Sequence, residues 1–227
     1  MNTYSNTIDQ IQVDLIESSQ KNAPIVVLIM GIDEHEAVLS RARKQQCPSF
    51  HLVSLSHFNW DQDLSPWPSK PVIYPNDDFA GKANQFLHTI ETKIKDWVDS
   101  LLPVEAGPWI IAGYSMGGLF AMYCPYRSSL FTNVCCVSGS VWYPDFESFA
   151  TTETMIKKPK SVYFSLGRKE IQERNPYLQT TGKIMESLEE DYKKKGIETT
   201  MVWNNGNHFT DPVGRMVNAL IWTLHQK

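Results

Sequence analysis

A chain of 227 residues with 42 % hydrophobic content has room for one well-buried core and is too short for two ordinary α/β domains, so a single domain over residues 1–227 is expected. Lys plus Arg total 21 against 25 Asp plus Glu, a formal charge of −4, and the longest basic block is Lys193-Lys194-Lys195, which excludes the basic footprint of a nucleic-acid binder. The amino terminus is polar and the longest apolar run, Pro24 to Ile32, is far short of a membrane span, so a cytoplasmic protein with no membrane association is expected.

In chain order, short apolar β-branched runs alternate with longer amphipathic ones, the pattern of strands and helices wound into a mainly parallel sheet. The segment Ile8 to Ile16 is expected to add an antiparallel edge. Strands follow at Ile25 to Met30 and His51 to Ser56. The irregular stretch Phe58 to Gly81, rich in Pro, Asp, Asn and Trp, is the one long loop, a length that often signals function. Phe86, Ile90, Ile94, Trp97 and Leu101 then share a helical face. Further strands are expected at Trp109 to Gly113, Val134 to Ser138, Ser161 to Leu166 and Thr199 to Trp203. Between the last two lies a helix from about Pro176 to Lys195, with Asn175 as its cap, basic residues in its last turn and Gly196 just beyond. Val213, Met216, Val217, Leu220, Ile221 and Leu224 mark the buried face of a final helix. Cys47, Cys124, Cys135 and Cys136 have neither metal-ligand spacing nor a Cys-x-x-Cys pattern, so they are taken as reduced structural residues.

The chemistry centres on Gly113-Tyr114-Ser115-Met116-Gly117. In a Gly-x-Ser-x-Gly turn a strand bends sharply into a helix, and flanking small residues let the serine stand at the apex with its hydroxyl exposed. Here the motif follows the apolar strand Trp109-Ile110-Ile111-Ala112 and runs into Gly118-Leu119-Phe120-Ala121-Met122, a buried helix start. Ser115 is the expected nucleophile.

A serine hydroxyl needs a base, which in this arrangement comes after the last strand. His208, in Asn204-Asn205-Gly206-Asn207-His208-Phe209, is the histidine in that place. The acid that orients it should follow the penultimate strand; Glu170, after Gly167-Arg168-Lys169, is the first choice and Glu173 its competitor. Asp211-Pro212 reads instead as a helix N-cap followed by proline at the first helical position. For the oxyanion, the backbone amide of Met116 is one expected donor and that of Ile32, beside Asp33, the other.

Gly113 to Gly118, Ser138-Gly139-Ser140-Val141-Trp142, Gly167 to Glu170 and Gly206-Asn207-His208 together resemble the esterase branch of the α/β hydrolases that includes enterochelin esterases, S-formylglutathione hydrolases and mycolyltransferases. The resemblance implies a single-domain α/β-hydrolase fold, a mainly parallel sheet flanked by helices on both faces, with no large lid domain. It implies no cofactor, no metal, and a Ser115, Glu170 and His208 triad acting on a small-molecule ester. It also makes Trp142 a wall of the pocket. The sequence departs from many relatives in carrying Met30-Gly31 where they have His-Gly. Trp67 and Asp61 of the long loop, and Tyr114 beside the nucleophile, are further candidate substrate contacts; for the loop, packing over the sheet edge is the competing role. Thioester hydrolysis or acyl transfer would use the same triad. A non-catalytic binding protein of the same fold would have no need to keep all three chemical types.

Overall fold

Apolar runs free of polar interruptions form strands buried on both faces. The computed structural model describes residues 2–31 and 34–226. Ten strands are present: β1 (Thr3–Ile8), β2 (Ile11–Ile16), β3 (Ile25–Ile29), β4 (His51–Ser56), β5 (Pro68–Ser69), β6 (Phe79–Ala80), β7 (Trp109–Tyr114), β8 (Phe131–Val137), β9 (Ser161–Gly167) and β10 (Glu198–Asn204). The short β5 and β6 pair with each other, and the rest form one sheet in the order β1-β2-β4-β3-β7-β8-β9-β10. β1 and β2 run antiparallel to their neighbours, and every pairing from β4 to β10 is parallel. All residues of β3, β7 and β9 are buried.

The helices are α1 (Glu34–Lys44), α2 (Trp60–Leu64), α3 (Ala83–Thr89), α4 (Lys95–Leu101), α5 (Met116–Tyr123), α6 (Phe146–Thr152), α7 (Pro176–Lys194) and α8 (Pro212–Leu224). On one face of the sheet, Val38 of α1 and Met216, Val217 and Leu220 of α8 pack against Val26, Leu28 and Ile110. On the other, Ile90, Leu119, Phe146, Met185 and Leu188 pack against Val27, Ile29 and Ile111. This is a single-domain α/β-hydrolase fold, with no large lid inserted among the described residues. No helix among those residues is long and apolar enough to cross a membrane.

Two local expectations change. The amino-terminal edge is a two-stranded hairpin that turns at Asp9 and Gln10, both with positive φ (48° and 71°). Asn-Gly or Asp-Gly usually marks such a turn, and Asp9-Gln10 carries no such signal. The helical face expected at Phe86, Ile90, Ile94, Trp97 and Leu101 continues through Val98 instead, which is buried while Trp97 and Leu101 are half-exposed. Residues four apart drift around a regular helix, but a π-helical turn at Ile90–Ile94 between α3 and α4 widens the spiral and keeps Phe86, Ile90, Ile94 and Val98 in line.

Candidate active site

Four neighbouring parallel strands end on one edge of the sheet, and each delivers one piece of the site. β7 leads into Ser115, β8 into Ser138-Gly139-Ser140, β9 into Glu170 and β10 into His208. The carboxyl ends of parallel strands are where α/β sheets generally hold ligands.

Ser115 stands between β7 and α5 with φ 57° and ψ −122°, a conformation that costs a non-glycine residue about 1–3 kcal/mol. The turn is fixed from three sides. Ser115 N–H donates to the Val137 carbonyl at 3.1 Å, and its carbonyl accepts from Ser140 N–H at 2.9 Å and Leu119 N–H at 3.1 Å. A Cβ on Gly113 would lie 2.0 Å from the carbonyl oxygen of Gly117, so only glycine permits this bend.

Glu170 is 7 % exposed. Its Oε2 lies 2.7 Å from His208 Nδ1, while Oε1 accepts from Gly167 N–H at 2.7 Å, Ser138 Oγ at 2.9 Å and Arg215 Nη1 at 2.8 Å. Burial alone would raise its pKa; the bonds from His208, Gly167 and Ser138 outweigh that and hold the carboxyl below its ordinary range. Ser138 reaches this position with φ 45°, its N–H bonded to the Ser165 carbonyl at 2.7 Å. Glu173 faces the neighbouring cavity, but the carboxylate beside His208 is that of Glu170.

His208 sits on a turn held from below. The Tyr114 hydroxyl donates to its carbonyl at 2.6 Å, and Arg215 Nη2 donates to the carbonyls of Asn205 at 3.0 Å and Asn207 at 2.8 Å. Within the turn, Asn207 Oδ1 accepts from Phe209 N–H and Thr210 Oγ1 at 3.1 and 3.0 Å.

Ser115, Met116, Ser138, Ser140, Glu170 and His208 open onto one cavity of about 660 Å³. Its far wall comes from the Phe58 to Gly81 stretch, which contributes Trp60, Asp61, Ile73, Tyr74, Asp77 and Phe79. That stretch is ordered by its own side chains. Asn59 caps α2, Gln62 bonds Asp78, and Asp77 Oδ2 gathers the N–H groups of Val72, Ile73 and Tyr74 at 3.2, 2.8 and 2.9 Å.

With this geometry in place, the likeness to known proteins can be stated. Residues 19–211 match the family described as "Putative esterase". The chain belongs to that esterase family. In sequence it is 25 % identical over 170 residues to the uncharacterised protein YbbA of Bacillus subtilis (strain 168), a match covering 71 % of this chain and 66 % of that one, just under two thirds of its length. In structure the esterase is similar to an IroE-like serine hydrolase from Shewanella oneidensis, with TM-score 0.81, 16 % identity and coverage of 97 % and 79 %. It is also similar to the siderophore hydrolase EstA from Aspergillus nidulans, with TM-score 0.77, 16 % identity and coverage of 97 % and 93 %. At such identities the likeness is one of fold.

Trp142 and Asp61 are both in the cavity wall, and burial raises the Asp61 carboxyl pKa. Trp67 and Tyr114 are not in that wall. Trp67 turns towards α6, where its indole N–H donates to the Pro144 carbonyl at 3.1 Å and its ring meets Tyr143 and Phe149 edge-on. Its indole bond and both of its ring contacts among the described residues lie on that side, so it packs there. Tyr114 lies beneath the His208 turn and supports it. Met116 opens α5 at the cavity, whereas Ile32, the other expected amide, and Asp33 lie outside the described residues. Among the described residues no three His, Cys, Asp or Glu side chains cluster as metal ligands.

Sequence reasoning missed Arg215; the Ser138 to Trp142 segment was expected beside the pocket, though not the bond from Ser138 Oγ to Glu170. One signal for Arg215 was available: it is a cation in the first turn of α8, where the helix dipole disfavours positive charge, so it called for a buried anionic partner.

Proposed function

We propose that this esterase hydrolyses a carboxylic ester of a small molecule through an acyl intermediate on Ser115. The observation that carries the reading is the 2.7 Å contact between His208 Nδ1 and Glu170 Oε2 at the edge of the cavity onto which the Ser115 turn opens. Glu170, kept ionised, accepts a hydrogen bond from Nδ1–H, which fixes the tautomer and leaves Nε2 of the imidazole as the free base. Nε2 takes the Ser115 proton as Oγ attacks the ester carbonyl. It then gives that proton to the leaving alcohol as the tetrahedral intermediate collapses to the acyl-serine. Water, deprotonated by the same nitrogen, releases the acid and restores Ser115.

The Met116 amide, with that of Ile32, is the proposed oxyanion donor pair, each worth about 100- to 1000-fold in rate. Trp142 and Asp61 are proposed to contact the substrate. The name of the Aspergillus nidulans relative, a siderophore hydrolase, supports including siderophore esters in the substrate panel. A cytoplasmic setting is proposed with it, supported by four free cysteines.

The test is labelling with a fluorophosphonate, followed by product analysis on a panel of acyl-chain, aryl, sugar, lactone and siderophore esters. Native protein is expected to label and Ser115→Ala not to; equal labelling of the two, or none of the native protein, overturns the reading. Transfer of the acyl group to an added alcohol in preference to water would make the enzyme an acyltransferase.

A further inference from the structure

The guanidinium of Arg215 is 3 % exposed and spends its donors on two different parts of the site. Nη1 meets Glu170 Oε1 at 2.8 Å and Ser138 Oγ at 2.9 Å, and Nη2 meets the carbonyls of Asn205 and Asn207, which lie on either side of Gly206. We propose that Arg215 is a positioning residue: its planar fork locks the carboxylate of Glu170 and the turn carrying His208 into one rigid unit, and its charge limits how tightly that pair holds a proton. This rests on the triad reading for its catalytic meaning, though not for the interaction itself.

Three features argue that the role is more than stability. First, Oε1 already accepts three hydrogen bonds, from Gly167, Ser138 and Arg215, which leaves Oε2 as the only oxygen free to meet the imidazole. The acid is therefore held in one orientation. Second, no lysine can reproduce the arrangement, because a point ammonium cannot present parallel donors to a carboxylate and to two carbonyls on a separate turn. A Cβ on Gly167 would come 2.7 Å from Nη2 and 2.8 Å from Glu170 Oε1, so the strand end itself is shaped around this contact. Third, a buried cation beside a helix N-terminus opposes the dipole and brings a desolvation cost, and such groups persist where they fix geometry.

Of the charged and titratable groups around the pair, Tyr114 comes from β7 and Arg215 from α8, Glu173 and Arg174 face the same cavity from the segment before α7, and Asp61, Tyr74 and Asp77 face it from the Phe58 to Gly81 stretch. Asp211, at the start of α8, lies 3.4 Å from Arg41 of α1. Arg215 is thus the one cation among these in direct contact with Glu170 besides the imidazole itself.

The experiment follows the His208 imidazole by NMR titration in native protein, Arg215→Met and Arg215→Lys, alongside the pH profile of fluorophosphonate labelling. In Arg215→Met, Glu170 no longer shares its charge with a second cation, so the His208 midpoint is expected to move up by about one pH unit and the acid limb of labelling to move with it. Labelling at neutral pH is expected to fall about 10- to 100-fold. Arg215→Lys keeps the charge and loses the fork, so its midpoint stays near the native one while labelling remains slow. A folded Arg215→Met with native midpoint and acid limb overturns the proposal, whatever its rate. If Arg215→Met does not fold, Arg215→Gln, neutral with donors retained, is read in the same way. Should native protein fail to label, the esterase reading falls, and the NMR titration still decides the Arg215 effect.

Discussion

The hydroxyl of Tyr114 donates to the main-chain carbonyl of His208 at 2.6 Å, so the residue just before the proposed nucleophile carries the turn of the proposed base. The two rings lie 5.3 Å apart, and burial raises the Tyr114 phenol pKa, which keeps it a neutral donor. Tyr114→Phe removes this bond and the 3.4 Å one that the hydroxyl accepts from Arg215 Nη1, while leaving the ring packing. The expected loss is about 1 kcal/mol, visible either as a lower urea midpoint or as an approximately fivefold fall in kcat/KM. A phenylalanine variant with native values for both would show that the turn is held by Arg215 alone.

The bend at Ser115 has no room for a methyl group on its strand side. Gly113→Ala would place Cβ 2.0 Å from the Gly117 carbonyl oxygen, a backbone atom that cannot swing away. We expect destabilisation of about 3 kcal/mol or more, measured by equilibrium denaturation, with labelling of any remaining folded protein abolished.

Acid should weaken the fold through Glu170. Its pKa is lowered in the folded state, so the stabilisation is fully present above the unfolded value of about 4.3 and is lost as pH falls through the folded value. Between pH 7 and about 4.5 this group contributes no pH dependence. Below that, native protein is expected to lose Tm more steeply than Glu170→Gln, which is less stable at neutral pH and flatter in acid. Parallel Tm curves for the two proteins below pH 4.5 would contradict the assignment.

Trp67 and Trp142 separate packing from substrate contact. Trp67→Ala removes a ring wedged against Tyr143 and Phe149 and is expected to cost about 3 kcal/mol of stability with little change in KM. Trp142→Ala opens the cavity wall itself, so KM should rise severalfold, and because Trp142 is buried in the core the change should also cost about 3 kcal/mol of stability. A reversal of the two KM patterns in steady-state kinetics would restore Trp67 to the substrate side.

Much of this was legible in the sequence for physical reasons. Strands β3 and β7 read clearly because burial on both faces demands unbroken apolar runs, and Asn175 and Asp211 read as caps because their oxygens do accept from Tyr177 N–H and Gly214 N–H. Glu170 was reachable by counting to a strand end. Which way a side chain rotates about a loop was not: Trp60 and Trp67 lie in the same irregular stretch, yet one faces the cavity and the other α6. Arg215 was hidden because a helix pattern records its apolar face, and a buried charge beside that face looks like surface until its partner is known.

The stretch from Phe58 to Gly81 has a consequence for diversity within the family. It carries much of the cavity wall opposite Ser115 and none of the proposed catalytic groups. Its own bonds close it off near the ends, with Gln62 on Asp78 and Lys82, and Ser65 on Gly81. The proposed choice of substrate and the proposed chemistry therefore lie on separable lengths of chain. Exchanging this one segment is expected to change selectivity while the edge of the sheet keeps its geometry.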